Sequence, residues 1–173
     1  MEKRALPAAI DSERVTLRKH SLDQSALMFS YVDRNRQRLR HFLPWVDGTK
    51  TAEDERAYIQ MTLDKWNAHE LFDYGVFRKS DGLYMGNVGV HTIAWNHRRC
   101  EIGYWILGEF EGQGFMSEAV SALEAACFEL GFNRVEIRCS SLNTRSASVP
   151  KRLEYCHEGT LREEMIENGK PRD

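Results

Sequence analysis

Residues 112–117, Gly-Gln-Gly-Phe-Met-Ser, form the most informative stretch of the chain. Gly112 and Gly114 allow a tight turn that side chains would obstruct. The run 118–130 after the turn predicts a helix, and the first N–H groups of a helix have no partner within it. A strand, a glycine turn and a helix N-terminus in this order form a phosphate site. Ordinary strand-to-helix connections also use such glycines, so the neighbouring elements must decide.

The elements around this turn predict an α+β (mixed α/β) fold. Alternating or apolar runs predict strands, and helical spacing with capping residues predicts helices. The predicted strands are 13–18, 72–78, 83–95, 100–107, 134–139 and 157–167, and the predicted helices run from Ser21 or Asp23 through Val32, from Thr51 through Trp66, over 117–130 and over 146–153.

Turn signals then give the connections between these elements. The turns at 80–82 and 96–98 join the strands between 72 and 107 into an antiparallel meander, and Asn168-Gly169 predicts a further hairpin turn. The helix 117–130 lies between two strands, so those strands should be parallel. We therefore expect a central mixed sheet, antiparallel in its N-terminal half, with a parallel pair at the glycine turn and about four flanking helices.

This order of elements excludes two nucleotide-binding folds. It lacks the repeated βαβ alternation of a dinucleotide fold, the third glycine of GxGxxG and the acidic residue expected about 20 positions later. The chain also has no GxxxxGK[ST] motif. A P-loop nucleotidase is therefore excluded.

Composition indicates one globular domain spanning residues 1–173, with 42% hydrophobic and 29% charged residues. A formal net charge of -2 argues against general nucleic-acid binding. No apolar run approaches the ~20 residues that span a bilayer, and the polar N-terminus lacks a signal-peptide core. We expect a cytoplasmic protein with no membrane partner.

The cysteines and histidines do not have the spacing of a metal site. The four cysteines form no CxxC pair, and His91 and His97 are not at a helical i,i+4 offset. We expect reduced, mostly buried thiols and no bound metal.

Four ordered blocks resemble the GNAT acyl-CoA N-acyltransferases, and most closely the RimJ/RimL-type ribosomal-protein N-terminal acetyltransferases. The resemblance runs from about Arg14 to the C-terminus and is strongest from Glu101 to Gly169. Its carriers are 101–106 (EIGYWI), 111–116 (EGQGFM), 133–138 (NRVEIR), and 143–146 (NTRS) followed by 151–155 (KRLEY) and 157–162 (HEGTLR). It implies an acetyl-CoA-dependent enzyme.

The resemblance assigns the cofactor site residue by residue. The backbone amides of Gln113, Gly114, Phe115, Met116 and Ser117 would hold the acetyl-CoA pyrophosphate. Ile106 and Leu107 would contact the cofactor from the preceding strand, Asn143 would hydrogen-bond the pantetheine arm, and Ser146 would lie near the sulfur. Asn143 as a turn former and Ser146 as a helix cap are the structural alternatives.

The catalytic assignments follow from acetyl transfer to an amine. Many relatives carry a tyrosine where Pro150 lies, so Ser146 is the candidate for stabilising the departing thiolate. Glu101, directly or through a water, is the candidate general base, and a strand N–H near Ile106 would stabilise the thioester oxygen. Glu101 in an ion pair with Arg98, Arg99 or Arg138 is the alternative. Glu163 and Glu164 are reserve candidates for the base.

The acceptor implied by the resemblance is the N-terminal α-amine of a protein, such as a ribosomal protein. A small-amine or antibiotic acetyltransferase and a CoA-binding or sensor module are the alternatives. An aromatic cluster is a candidate wall of the acceptor groove, with core packing as its alternative. It comprises Phe42, Trp45, Tyr74, Trp95 and Tyr104. The arginines of 34–40 indicate either a solvated helix end or a rim that attracts an acidic substrate.

Three features depart from the family pattern. Glu111 replaces the usual Arg or Gln and would repel phosphates unless it turns outward. Glu154 replaces a glycine, and the strand after Asn168-Gly169 is cut short at Asp173. Either the sequence is truncated there, or the edge is completed in another way, such as by the neighbouring subunit of a homodimer.

Overall fold

The computed structural model describes residues 1–167 and 169–173. Among them, one sheet has the strand order β1-β2-β3-β4-β5-β6, and β7 and β8 form a separate ribbon. The strands are β1 Ala9–Asp11, β2 Val15–Lys19, β3 Phe72–Arg78, β4 Tyr84–Ala94, β5 Arg99–Ile106, β6 Arg134–Glu136, β7 Met165–Glu167 and β8 Lys170–Arg172. The helices are α1 Ser25–Leu39, α2 Ala52–Asn67, α3 Phe115–Leu130 and α4 Thr144–Arg152.

The sheet has the predicted mixed topology. Strands β1 to β5 pair antiparallel, and β5 pairs parallel with β6. Helix α3 forms the crossover between this parallel pair, and four α-helices accompany the sheet within the described part of the chain. The predicted fold class is therefore confirmed.

The predicted helix ends follow from local chemistry. Thr51 caps α2 by accepting from the backbone N–H of Asp54, whose carboxylate accepts from the backbone of Thr51 in return. Gly131 ends α3 with φ +110°, a conformation that costs glycine little. Helix α1 continues through most of the arginine run to Leu39, further than the sequence pattern predicted.

The prediction of a strand over 134–139 is wrong in its second half. Only Arg134–Glu136 pairs with β5. The segment after Glu136 is held by the C-terminal residues instead: Arg138 forms an ion pair with Glu164 at 2.6 Å, and the Ser141 N–H donates to the carbonyl of Asp173. These contacts draw the chain away from β5.

The prediction of a strand over 157–167 is also wrong for all but its last three residues. Only Met165–Glu167 forms a strand, which pairs with β8. Glu163 has φ +52°, which breaks an extended run, and Glu158 is held outside the sheet by Arg134. Of the turn predicted at Asn168-Gly169, Gly169 has φ +73°, and Asn168 lies outside the described residues.

Helices cover both faces of the central sheet. Helix α3 packs against β2, β4 and β5, while α2 contacts β3 and packs on α1. Side chains alternate along β5, so Tyr104 points towards α4 and Trp105 points to the opposite face, where it contacts Trp45. Helix α4 therefore lies on one side of β5, and the connection between α1 and α2 lies on the other.

The cysteines are free thiols, as predicted, but they are not mostly buried. Cys100 and Cys127 are buried next to each other between β5 and α3, whereas Cys139 and Cys156 are exposed.

Candidate active site

A cleft of about 850 Å³ opens beside the end of β5. It lies between the C-terminal end of α1, the glycine turn, the first turn of α3 and helix α4. Its wall comprises Gln37, Arg38, Leu39, His41, Phe42, Leu43, Tyr104, Trp105, Ile106, Phe110, Glu111, Gly112, Gly114, Phe115, Met116, Ser117, Leu142, Asn143, Thr144, Arg145, Ser146, Ser148, Val149 and Arg152. Tyr104 and Trp105 point to opposite faces of the sheet, so the cleft reaches both faces.

The end of β5 presents an open backbone edge to this cleft. Strand β6 pairs with β5 only as far as Glu101. The Leu107 N–H donates to the carbonyl of Met85 at 2.8 Å, so the antiparallel alternation turns the polar backbone groups of Tyr104 and Ile106 away from β4. They face the side that β6 has left, where the carbonyl of Ile106 accepts from Arg38 at 3.0 Å. An extended chain with amide groups fits this edge.

The glycine turn delivers the N-terminus of α3 to the cleft. Gly112 and Gly114 have φ +71° and +81°, which explains the need for glycine at both positions. Gly114, Phe115, Met116 and Ser117 line the cleft. The unsatisfied N–H groups and partial positive charge of the helix N-terminus therefore face the cavity.

Two of the predicted cofactor contacts lie at the margin of the site. Leu107 is fully buried below the cleft, and its neighbour Ile106 lines it. Gln113 is exposed, with its side chain donating to the carbonyl of Glu109 and its own carbonyl accepting from Arg14. Residues 114–117 line the cavity, whereas the side chains of Leu107 and Gln113 do not.

The start of α4 places two predicted residues together. The Asn143 Oδ1 atom accepts from the Ser146 N–H at 3.1 Å, so Asn143 caps the helix. The Ser146 Oγ atom lies 3.4 Å from the hydroxyl of Tyr104, which donates to the Ser146 carbonyl at 2.8 Å. Both Asn143 and Ser146 line the cleft. Asn143, not Ser146, caps the helix.

The sequence interpretation missed the basic side chains of this site. Arg38 on α1 and Arg145 on α4 both bind the carboxylate of Glu111. Arg152, also on α4, donates to the Ser117 hydroxyl at 2.7 Å at the N-terminus of α3. Burial and, secondarily, the charge of Arg145 lower the pKa of Arg38 from its ordinary value, which shows that the two cations lie close together. Glu111 therefore compensates an otherwise positive wall.

The candidate base Glu101 lies outside the cleft wall. It is paired with His91 on β4 and with Glu136 on β6. Glu101 precedes Ile106 by five residues, which is about 17 Å along a strand that rises ~3.3 Å per residue. By alternation, its side chain lies on the same face as Trp105. The hydrogen bond to Glu164 is the main cause of the raised pKa of Arg138, and the charge of Glu101 adds to it, which places Glu101 near Arg138.

The reserve candidates for the base are also outside the cleft wall. Glu164 pairs with Arg138, and Glu163 is exposed near Asp173. Glu154, the other departure from the family pattern, is exposed with φ +62°, the left-handed conformation that suits the glycine usual there.

The aromatic cluster divides between site and core. Phe42 and Tyr104 line the cleft, and the half-exposed Trp45 stacks near Trp105 with ring centroids 5.7 Å apart. Tyr74 and Trp95 are buried, and each bonds a backbone carbonyl away from the cleft. For these two residues the structure favours the alternative of core packing.

The arginine run of α1 makes internal contacts. Arg36 donates to the carbonyls of Val46 and Thr49 and so fixes the α1–α2 connection. Arg40 pairs with Asp47 at 3.1 Å. Arg38 binds Glu111, so Arg36, Arg38 and Arg40 all make contacts within the fold. These contacts disfavour the alternative in which the arginine run attracts an acidic substrate.

Comparison with known proteins identifies the family. The model of the acetyltransferase (GNAT) domain matches residues 14–155. The chain therefore belongs to the GNAT acetyltransferase family. This agrees with its mixed sheet and with a cleft at the glycine turn.

Individual relatives fall within the same family. A Bacillus subtilis (strain 168) protein named "Putative ribosomal N-acetyltransferase YdaF" is 29% identical over 165 residues, covering 94% of this chain and 88% of the relative. The ribosomal-protein-serine acetyltransferase of Escherichia coli (strain K12) is 27% identical over 139 residues, covering 79% and 75%. The solved structure of the RimL ribosomal L7/L12 alpha-N-protein acetyltransferase in complex with coenzyme A has a TM-score of 0.87, covering 98% of this chain and 93% of that one; at 24% identity it shows the shared fold.

The described residues contain neither a metal-binding cluster nor a membrane-spanning helix. No group of three or more His, Cys, Asp or Glu side chains there is arranged to hold a metal ion. No helix in residues 1–167 and 169–173 has the length and apolar character needed to cross a bilayer.

Proposed function

We propose that this GNAT acetyltransferase moves the acetyl group of acetyl-CoA to the N-terminal α-amine of a protein. The observation that carries the proposal is the cleft itself, which combines an open β5 edge with the N-terminus of α3. A thioester cosubstrate that has both an amide-bearing arm and a pyrophosphate matches these two features. The acetyl-CoA-dependent family and its ribosomal-protein relatives support the choice.

The donor would bind along the cleft in an extended form. The amides of the pantetheine arm match the backbone groups of Tyr104 that face away from β4, which leaves the Ile106 N–H for the thioester oxygen. The pyrophosphate matches the N–H groups at the start of α3, beside the guanidinium of Arg152. The arm between them would pass Asn143 and Ser146 at the start of α4.

The acceptor would approach from the other face of the sheet. Trp105 lines the cleft on that face, together with His41, Phe42 and Leu43 from the end of α1 and its following turn. This wall is apolar and aromatic, which suits the first side chains of a peptide better than a highly charged small molecule. A protein N-terminus is therefore the favoured acceptor.

The reaction is direct attack of the amine on the thioester carbonyl. An α-amine has a pKa of about 8, so it needs modest help to lose its proton at pH 7. We assign that help to Glu101 acting through water along the Trp105 face, because the strand distance excludes direct contact. The Ile106 N–H would stabilise the developing oxyanion, and the thiolate would leave beside Ser146.

Release of free CoA thiol tests this function. We expect thiol release when acetyl-CoA is mixed with a peptide beginning with Ser or Ala, and none when the same peptide has a blocked N-terminus. Equal release with a small polyamine or an aminoglycoside would favour the small-amine alternative. Binding of acetyl-CoA with no release for any amine would favour a CoA-binding module. Absence of acetyl-CoA binding would contradict the proposal altogether.

A further inference from the structure

The hydroxyl of Tyr104 occupies the same corner of the cleft as Ser146. Tyr104 extends from β5 towards the first turn of α4 and lines the cavity. Its Oη atom lies 2.8 Å from the Ser146 carbonyl oxygen and 3.4 Å from Ser146 Oγ. Any group that contacts the Ser146 hydroxyl from the cavity is therefore also near the phenol.

A phenol is the stronger of the two hydrogen-bond donors at this corner. A tyrosine hydroxyl has an ordinary pKa near 10, whereas an aliphatic hydroxyl such as that of Ser146 is far less acidic. Burial raises the pKa of Tyr104 to about 12, so the hydroxyl keeps its proton at any working pH. Its position on a paired strand also holds the ring in place, which reduces the cost of ordering it.

Helix α4 offers no phenol of its own at this place. Its sequence, TRSASVPKR, contains hydroxyls only on Thr144, Ser146 and Ser148. Pro150 has no donor at all. The phenolic group nearest to Ser146 comes from β5.

We propose that Tyr104 donates a hydrogen bond to the sulfur of CoA as the thioester breaks, which makes it a catalytic residue. This inference rests on the proposed function, since it requires the thioester to lie beside Ser146. The C–S bond of the tetrahedral intermediate breaks, and its electron pair passes to sulfur. The Tyr104 hydroxyl rotates from the Ser146 carbonyl to the sulfur, a stronger acceptor once it is a thiolate.

The proton balance leaves tyrosine unchanged. The ordinary pKa of a thiol, about 8.5, lies below that of Tyr104, so the phenol stabilises the thiolate without losing its proton. The amine nitrogen gives up one proton to base and solvent, and CoA takes one from water when it leaves. Tyr104 then returns to the carbonyl of Ser146.

The variant Tyr104→Phe tests this role, with Tyr74→Phe as its matched control. Tyr74 is a buried phenol whose hydroxyl likewise donates to a backbone carbonyl at 2.8 Å, that of Pro7, but it lies away from the cleft. We expect Tyr104→Phe to lower kcat by at least about tenfold with little change in the KM for acetyl-CoA. Tyr74→Phe should leave kcat within about twofold of the wild-type value.

The pKa of the bound CoA thiol distinguishes a catalytic role of Tyr104 from a structural role in holding α4. Free CoA is titrated on the wild-type protein and on both variants, and the thiolate is followed by its ultraviolet absorbance. The bound thiol should have a lower apparent pKa on the wild-type protein and on Tyr74→Phe than on Tyr104→Phe. A purely structural role for Tyr104 would weaken CoA binding without separating these thiol pKa values.

The outcomes distinguish failure of this inference from failure of the proposed function. If CoA binds equally to the wild-type protein and to Tyr104→Phe with the same thiol pKa and kcat is unchanged, the role of Tyr104 is overturned and the acetyltransferase function stands. If CoA does not bind to the wild-type protein, both are overturned.

Discussion

Glu111 and Arg145 form an ion pair at the mouth of the cleft, with 2.7 Å between Oε2 and Nη1. Arg38 holds the other carboxylate oxygen from the opposite wall. One acidic side chain of the glycine turn thus joins α1 to α4 across the place where we expect the phosphates. The sequence predicted that Glu111 would repel phosphates unless it turned outward; the structure shows its carboxylate held between two arginines.

Replacing Glu111 should strengthen cosubstrate binding. In Glu111→Gln the repulsion is removed and both arginines become available to the phosphates, so we expect acetyl-CoA to bind about three- to tenfold more tightly at low salt. The dependence of Kd on salt should also become steeper. Calorimetric titration at two ionic strengths measures both effects.

The matched control for that variant is Glu109→Gln, which removes the same charge from an exposed neighbour. It should change Kd by less than about twofold. Weaker binding by Glu111→Gln would show instead that the glutamate positions the arginines for the ligand.

Arg152 should contribute to affinity through its position at the start of α3. Its bond to the Ser117 hydroxyl places a guanidinium beside the N–H groups of the helix N-terminus. In Arg152→Gln we expect acetyl-CoA to bind on the order of tenfold more weakly, since a charge-assisted contact to phosphate is lost. Lys151→Gln removes an adjacent, exposed charge and is the control. Equal effects of the two changes would indicate only a general electrostatic contribution.

Glu55 should make folding stability decrease as pH rises. It is 3% exposed on α2, and burial raises its pKa from 4.5 to about 7, with the charge of Asp73 adding to the shift and His20 opposing it. Between about pH 4.5 and 7 the folded state therefore holds more protons than the unfolded chain. Folding stability falls across that window, by up to about 3 kcal/mol.

Urea unfolding of Glu55→Gln across this pH range measures the effect. The variant should be more stable than the wild-type protein at pH 8, and the difference should vanish towards pH 4. Glu53→Gln, which removes an exposed glutamate from the same helical turn, should follow the wild-type curve. Because the His20–Asp73 pair lies near Glu55, the relevant quantity is the difference in unfolding free energy between variant and wild type. A constant difference over the whole range would contradict the burial argument.

Glu101 should determine the pH dependence of turnover. If it accepts the amine proton through water, Glu101→Gln should lower kcat/KM by about tenfold at pH 7 and recover towards the wild-type value as the free amine deprotonates above pH 8. His41→Asn changes a titratable side chain that lies in the cleft wall itself. A normal pH profile for Glu101→Gln together with an altered one for His41→Asn would transfer the role to His41.

Patterns local in sequence predicted most of the fold. The Thr51–Asp54 spacing predicted the start of α2, and the helix between strands predicted the parallel pair. The run 134–139 alternates throughout, yet only its first half pairs with β5. Alternation reports which side chains are buried, whereas pairing depends on competing contacts such as Arg138 with Glu164.

The parts of the site that escaped prediction depend on contacts distant in sequence. Arg152 reaches Ser117 across 35 positions, and Arg38 reaches Glu111 across 73. No periodicity or motif links such pairs. Glu55 escaped for a different reason: acidic residues are usual in the first turn of a helix, where the dipole favours them, and that pattern does not reveal burial.

The most direct test of the central claim offers one peptide with both kinds of amine. A peptide that begins with Ser and contains an internal lysine is incubated with the protein and acetyl-CoA, and tandem mass spectrometry locates the acetyl group. We expect one acetyl group on the α-amine for each CoA thiol released. Acetylation of the lysine side chain, or no transfer while acetyl-CoA binds, would contradict it.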